Sequence, residues 1–165
     1  MDLTLFFSPI DESICQKNYP TNSLFKSIKI YGDKMPDFKG AHIALLGVPE
    51  ERGTSTNKGC AKGPDEIRSK LYNLKKGTGS YRIVDLGNLN PGHDLDETYV
   101  RISEVSRILL ENNVLPLILG GSHDLDYGQY RGYEEMEKLI SLLNIDAFLD
   151  LEDHRDASAS QQHIH

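Results

Sequence analysis

Two short segments carry the residue types best suited to chemistry. In "LILGGSHDLD", residues 117–126, an apolar run ends in two glycines and is followed by Ser122, His123, Asp124 and Asp126. In "NIDAFLDL", residues 144–151, Asp146 and Asp150 are separated by four positions. If that segment is extended throughout, Asp146, Phe148 and Asp150 share one face, since side chains alternate along a strand. Carboxylates placed on a buried strand are costly unless paired or bound to a cation. Together with His123 at a neighbouring strand end they would form an oxygen-rich site with one imidazole. That donor mixture suits manganese or magnesium better than iron or zinc. Asp124 and Asp126 have a simpler expected role, capping the helix that follows.

The surrounding elements must bring those segments together. "HIALLGV" (42–48) is a short continuous apolar run closed by Gly47 and Pro49, the pattern of a strand buried on both faces. "YRIVDLG" (81–87), "NVLPLILGG" (113–121) and "NIDAFLDL" are three further strands. Pro116 lacks an N–H, so the third is expected to begin just after it. "GPDEIRSKLYNL" (63–74) opens with proline and acids, a helix start signal, and sets Ile67, Leu71 and Leu74 on one face. "DETYVRISEVSRILLENN" (96–113) places Val100, Val105, Ile108 and Leu109 on one stripe, with Asp96 as the expected cap and Asn112–Asn113 as the stop. "YGQYRGYEEMEKLISLL" (127–143) is a third helix, weakened in its first half by Gly128 and Gly132.

Strands alternating with helices predict an α/β domain around a mainly parallel sheet. In such sheets ligands bind beyond the carboxyl ends of the strands. Those ends are read as Gly47–Pro49, Asp85, Gly120–His123 and Asp146–Asp150, and all but the first offer a ligand or charge. The organisation reads as an N-terminal arm or cap over 1–40, the α/β domain over 41–152 and a polar tail or truncated loop over 153–165. In that tail His154, His163 and His165 lie among Ser, Ala and Gln, a composition expected of a mobile terminal loop.

Bulk properties narrow the class. The 165 residues suffice for one domain with a real core, at 38% hydrophobic and 26% charged. A net charge of -7 argues against non-specific nucleic-acid binding. No apolar stretch reaches 18 residues, so no membrane span is expected. The acidic start "MDLTLFFSPIDE" is not a signal peptide. Cys15 and Cys60 form no spaced motif and read as ordinary thiols of a reduced, cytoplasmic protein.

Several motifs, in order, resemble the ureohydrolase family of arginases, agmatinases and formimidoylglutamases, with the formimidoylglutamase-like branch nearest. "GVPEERGTSTNKGCAKGPDEIR" resembles the opening strand, loop and Gly-Pro-x-x-Ile-Arg helix start of that family. "VDLGNL" resembles its next strand, "ILGGSHDLDYGQY" its Gly-Gly-Asp-His segment, and "NIDAFLDL" its Asp-Ala-His-x-Asp segment. The resemblance spans residues 42–151. It implies a three-layer α-β-α fold and a pair of Mn2+ ions. The chemistry implied is hydrolysis of a guanidinium or amidine C–N bond in a small metabolite, since two cations acidify and orient a bridging water.

Position by position, the resemblance assigns metal-ligand roles to His123, Asp146 and Asp150. Asp150 and, by spacing, His163 become the candidates for a direct catalytic role. The chain departs from the family pattern at Phe148, which stands where the motif has histidine, and at Ser122, which stands where it has aspartate. No Asp-x-Asp segment follows "LDLED". Family members are expected to run to roughly 250–300 residues, so the arginase-like domain is expected to be incomplete here. Two functional expectations follow. One is a manganese-dependent amidine hydrolase with a degenerate metal site, inactive as this chain alone. The other is a non-catalytic ureohydrolase-like domain serving assembly or binding. An exposed sheet edge would also favour homo-oligomers.

Overall fold

The computed structural model describes residues 3–136 and 139–146. Five strands form one sheet: β1 (Phe7–Ser8), β2 (Lys29–Ile30), β3 (Ile43–Gly47), β4 (Ile83–Leu89) and β5 (Leu115–Leu119). Four helices accompany them: α1 (Glu12–Cys15), α2 (Gly63–Leu71), α3 (Leu95–Glu111) and α4 (Leu125–Glu134). The order is β1-β4-β3-β5, with β2 also on β4. β2, β3 and β5 run parallel to their neighbours, and β1 alone is antiparallel. The two short strands share one edge of β4. Lys29 and Ile30 lie opposite Val84 and Asp85, while Phe7 and Ser8 lie opposite Leu89 and Asn88.

Alternation along β4 separates two layers of packing. Val84, Leu86 and Leu89 join Ala44, Leu46 and Val48 of the β3 segment in the main core, against Tyr99, Ile102, Val105 and Leu109 of α3. Asp85 points to the other face, where α2 lies. A mainly parallel sheet with helices on both faces is therefore present, as the strand–helix alternation predicts.

Several local expectations require correction. The buried face of α2 is Pro64 and Arg68, continued by Tyr72 beyond its last turn, whereas Ile67 and Leu74 are exposed. The reason is Asp85, fully buried on β4, whose carboxylate draws in the Arg68 guanidinium and the Tyr72 hydroxyl as hydrogen-bond donors. The helix turns its Arg inward and leaves part of its apolar stripe outside.

α3 begins earlier than expected. Asp94 rather than Asp96 is its cap, accepting the Glu97 N–H at 2.7 Å. Its buried face holds Thr98, Tyr99, Ile102, Ser103, Val105, Ser106 and Leu109, while Val100 is half exposed. The Asn112–Asn113 stop holds, with Asn113 at φ 59°, a conformation asparagine tolerates better than most residues.

Pro116 lies inside β5, opposite Ala44, not before it. β5 is an edge strand of the described sheet, and an edge tolerates a residue without an N–H. Gly128 and Gly132 are the tight contact between α4 and α3. A Cβ at Gly128 would stand 3.1 Å from the Tyr99 backbone, and one at Gly132 would stand 2.8 Å from the Ser103 carbonyl oxygen. The low helix propensity of glycine is thus offset by close backbone approach. α4 ends at Glu134, and residues 139–143 are not helical. The expected fourth strand is absent from its described part, since 144–146 have no strand pairing and are exposed. Nothing in that stretch packs on the sheet in a way that would enforce an extended ladder. Residues 147–151 lie outside the described residues.

Candidate functional site

The carboxyl ends of β3 and β5 lie side by side, because Gly47 pairs with Leu119. The chain leaving β3 runs through Val48 and Pro49 to Glu50. The chain leaving β5 runs through Gly120, Gly121 and Ser122 to His123 and Asp124. The two connections are stitched together: Val48 N–H donates to the Leu119 carbonyl at 3.0 Å, and Ser122 N–H to the Glu50 carbonyl at 2.9 Å. Gly121 is required by this crossing, since a Cβ there would sit 2.1 Å from the Glu50 carbonyl oxygen. Its role is close approach between backbones; its φ is not positive.

Glu50 corrects the expectation that the first strand end carries no charge. It is 3% exposed and accepts from the Glu51 and Arg52 N–H groups at 2.9 and 2.8 Å. The Arg52 guanidinium grips both of its oxygens, at 2.5–3.0 Å. Arg52 also donates to the carbonyls of Gly92 and His93, at 2.9 and 2.7 Å, just before α3. Thr98 on α3 completes the cluster, its hydroxyl donating to Glu50 Oε2 at 3.2 Å. Burial pushes the Glu50 carboxyl up, but the Arg52 side-chain and backbone hydrogen bonds outweigh it and hold the group below its ordinary value. The cluster clamps the loop after β3 to the start of α3. Its sequence signal was "PEER" immediately after a buried strand.

Asp124 corrects the capping expectation. It occupies the cap position of α4 but makes no side-chain cap hydrogen bond. Its Oδ2 accepts from the Tyr99 hydroxyl at 2.5 Å, and its Oδ1 is buried without a partner among the described residues. The Gly53 backbone lies against this carboxylate, leaving no room there for a Cβ. Burial, then the hydrogen bond to Asp124, pushes the Tyr99 hydroxyl well above its ordinary value, so it stays a donor. The Ser122 hydroxyl is likewise buried and without a partner among the described residues. Asp126 is 82% exposed and makes no cap hydrogen bond that would order α4.

His123 stands in the turn between β5 and α4, with its side chain 57% exposed and Nδ1 4.0 Å from Asp126 Oδ2. Asp146 is an exposed residue in a bend. Asp150 and His163 lie outside the described residues, as does Phe148. Asp85, read as a strand-end ligand, is instead fully buried within β4 and bonded to Arg68. No group of three His, Cys, Asp or Glu side chains that could hold a metal ion occurs among the described residues. His123 and the free oxygen of Asp124 are therefore too few donors for the octahedral, oxygen-rich coordination that manganese favours, and the described residues do not complete a site for it.

The family is decided by its family model. The model described as "Arginase family" matches residues 41–164. The chain belongs to the arginase family. A formimidoylglutamase of Streptococcus gordonii is 30% identical over 121 residues, covering 68% of this chain and 37% of that protein. A formimidoylglutamase of Hahella chejuensis is 30% identical over 129 residues, covering 73% of this chain and 40% of that protein. The chain thus spans less than half the length of these relatives.

Among solved structures, formimidoylglutamase from Bacillus subtilis superposes with a TM-score of 0.59 at 21% identity, covering 73% of this chain and 40% of that one. An agmatine ureohydrolase of Thermoplasma volcanium gives a TM-score of 0.55 at 20% identity, covering 73% and 41%. The arginase-like α/β architecture is common to all of them. No helix among the described residues is long and apolar enough to cross a membrane.

Proposed function

We propose that this chain is an arginase-family domain with a degenerate metal site, and that by itself it does not hydrolyse linear amidines or guanidinium compounds. In this reading His123, Asp146 and Asp150 hold ligand positions for Mn2+, and Asp150 and His163 are the candidates for a direct catalytic role. The observation that carries the reading is Phe148 in "DAFLD". A phenyl ring has no lone pair for a cation, and losing one ligand weakens and misplaces a bound metal. The Tyr99 bond to Asp124 supports it, because it already occupies one oxygen of the carboxylate beside His123. The free thiols Cys15 and Cys60 fit a cytoplasmic protein.

A second reading, a non-catalytic domain that assembles into homo-oligomers, is favoured by one feature. β5 is an edge strand of the described sheet, and its Leu115 and Leu117 are 50% and 46% exposed among the described residues, an arrangement that invites pairing with another chain.

One preparation tests both readings. Protein purified with manganese is expected to hold fewer than two metal equivalents by elemental analysis. It is expected to release no urea from arginine or agmatine and no formamide from formimidoylglutamate. Two equivalents with robust product release would overturn the first reading. A monomer by light scattering at roughly tens of micromolar, a concentration at which exposed edges associate, would count against the second.

A further inference from the structure

The amino ends of the parallel strands carry a charged feature that the arginase-family reading does not use. A half-open cavity of about 370 Å³ lies there, lined by Lys29, Lys39, Lys76 and Arg82 together with Tyr81 and one carboxylate, Asp37. The topology explains the convergence. Lys29 opens β2 opposite Val84, and Ile43 opens β3 opposite Ile83, so the segments entering β2, β3 and β4 meet at one rim. Arg82 immediately precedes β4, and its guanidinium lies over the Gly40 turn, where a Cβ would stand 3.0 Å away. The site candidates Glu50, His123 and Asp124 lie beyond the opposite, carboxyl ends of the parallel strands β3 and β5.

The charge at this rim is unbalanced. Four cations face one carboxylate, a net of +3 (4 − 1), in a chain whose formal net charge is -7. All four basic residues are exposed, and none forms an ion pair with a described residue. Asp37 Oδ1 is already bonded to the Lys39 N–H at 2.9 Å. Gathering like charges in a concave surface raises the local potential and attracts a multivalent counter-ion. The volume is that of a small-molecule site, and the acidic remainder of the chain disfavours an extended nucleic acid. Arginine and lysine together supply a fork and point charges suited to phosphate oxygens. Tyr81 is 69% exposed, its ring braced edge-on by His42 at 5.9 Å, which leaves a flat surface at the mouth.

We propose that this cavity binds a small polyphosphate anion through Lys29, Lys39, Lys76 and Arg82. The site is independent of the metal site, so the proposal stands or falls apart from the reading of His123 and Phe148. Calorimetric titration of the full chain with sodium tripolyphosphate at low salt tests it. One saturable site is expected, weakened roughly tenfold by Arg82→Ala and by Lys39→Ala, the effect of losing one charge-assisted contact. It should weaken further as salt is raised, and Lys17→Ala, on an exposed lysine that does not line the cavity, should leave it unchanged. No binding at millimolar probe, or binding indifferent to both cavity substitutions, would overturn the proposal. Repeating the titration with ATP identifies the source of the phosphate. Tighter binding of ATP, with the difference removed by Tyr81→Ala, assigns a nucleotide, and equal binding assigns the bare polyphosphate.

Discussion

Asp85 and Asp124 are carboxylates set on opposite sides of the same sheet, and the fold treats them differently. Asp85 has all its bonding capacity used. Its Oδ1 accepts from Arg68 Nη2 at 2.9 Å and Gly87 N–H at 3.0 Å, and its Oδ2 from Arg68 Nε and the Tyr72 hydroxyl, both at 2.9 Å. Arg68 is itself fully buried and continues to the Gly87 carbonyl and Asn88. Burial, then the nearby Asp85 charge, pushes the Tyr72 hydroxyl well above its ordinary value, so it remains a donor throughout. Asp124 has one donor, Tyr99, and one buried oxygen without a partner among the described residues. A buried group whose every lone pair is matched belongs to the architecture. One left partly unmatched marks a place where the fold has not been optimised for stability alone.

The sharpest way to break this contrast is Arg68→Ala. It would leave Asp85 as an uncompensated buried charge and is expected to cost about 3–5 kcal/mol, read from urea unfolding. A loss below about 1 kcal/mol would mean that water reaches Asp85 and that the network is not structural.

An intermediate effect is expected at the clamp beside Asp124. Glu50→Gln removes a buried carboxylate that Arg52 and two backbone N–H groups stabilise, at about 1.5–3 kcal/mol near neutral pH. The sign of its pH dependence is fixed by the lowered carboxyl. The native group ionises below its ordinary value of 4.5, so its contribution is present above that value and is lost as pH falls through the native one. The parent protein should therefore lose part of its stability on acidification below 4.5, and Glu50→Gln should flatten that limb in a thermal melt series. An unchanged limb would place the acid sensitivity elsewhere.

The smallest effect is expected at Asp124 itself. Asp124→Asn keeps an acceptor for Tyr99 and should change stability by about 1 kcal/mol or less. If it instead matched Arg68→Ala, the two carboxylates would be equivalent parts of the scaffold and the contrast would collapse.

Much of the architecture was legible from periodicity. The buried run "HIALLGV" became a central strand, and the stop at Asn112–Asn113 ended α3. The charged residues were less legible, because their role depends on what lies across a packing interface. Ile67, Leu71 and Leu74 were the expected face of α2, and only Asp85 beneath the helix explains why Arg68 is turned inward. The end of the first strand was expected to carry no charge, and Glu50 with Arg52 gains its role only when the carbonyls before α3 lie beside it. Gly128 and Gly132 read as weak points of a helix for want of the neighbouring Ser103 and Tyr99 backbones. "LILGGSHDLD" holds one residue where the sequence places it and one where only the fold does. His123 stands at the end of a strand as expected, yet Asp124 reaches Tyr99 instead of capping its helix.

The sequence alone therefore determined the α/β class and the central strands. It also set the order of motifs that resembles the arginase family, and it placed Phe148 where a ligand histidine would stand. These are local or one-dimensional properties, set by period, propensity and side-chain chemistry. Only the tertiary structure decided which carboxylates are committed to partners, which helix face is buried and why two glycines lie in α4. It alone gathered four cations at the amino rim of the sheet. Those outcomes depend on pairs of residues far apart in the chain, and only the folded sheet brings such pairs to hydrogen-bonding or van der Waals distance.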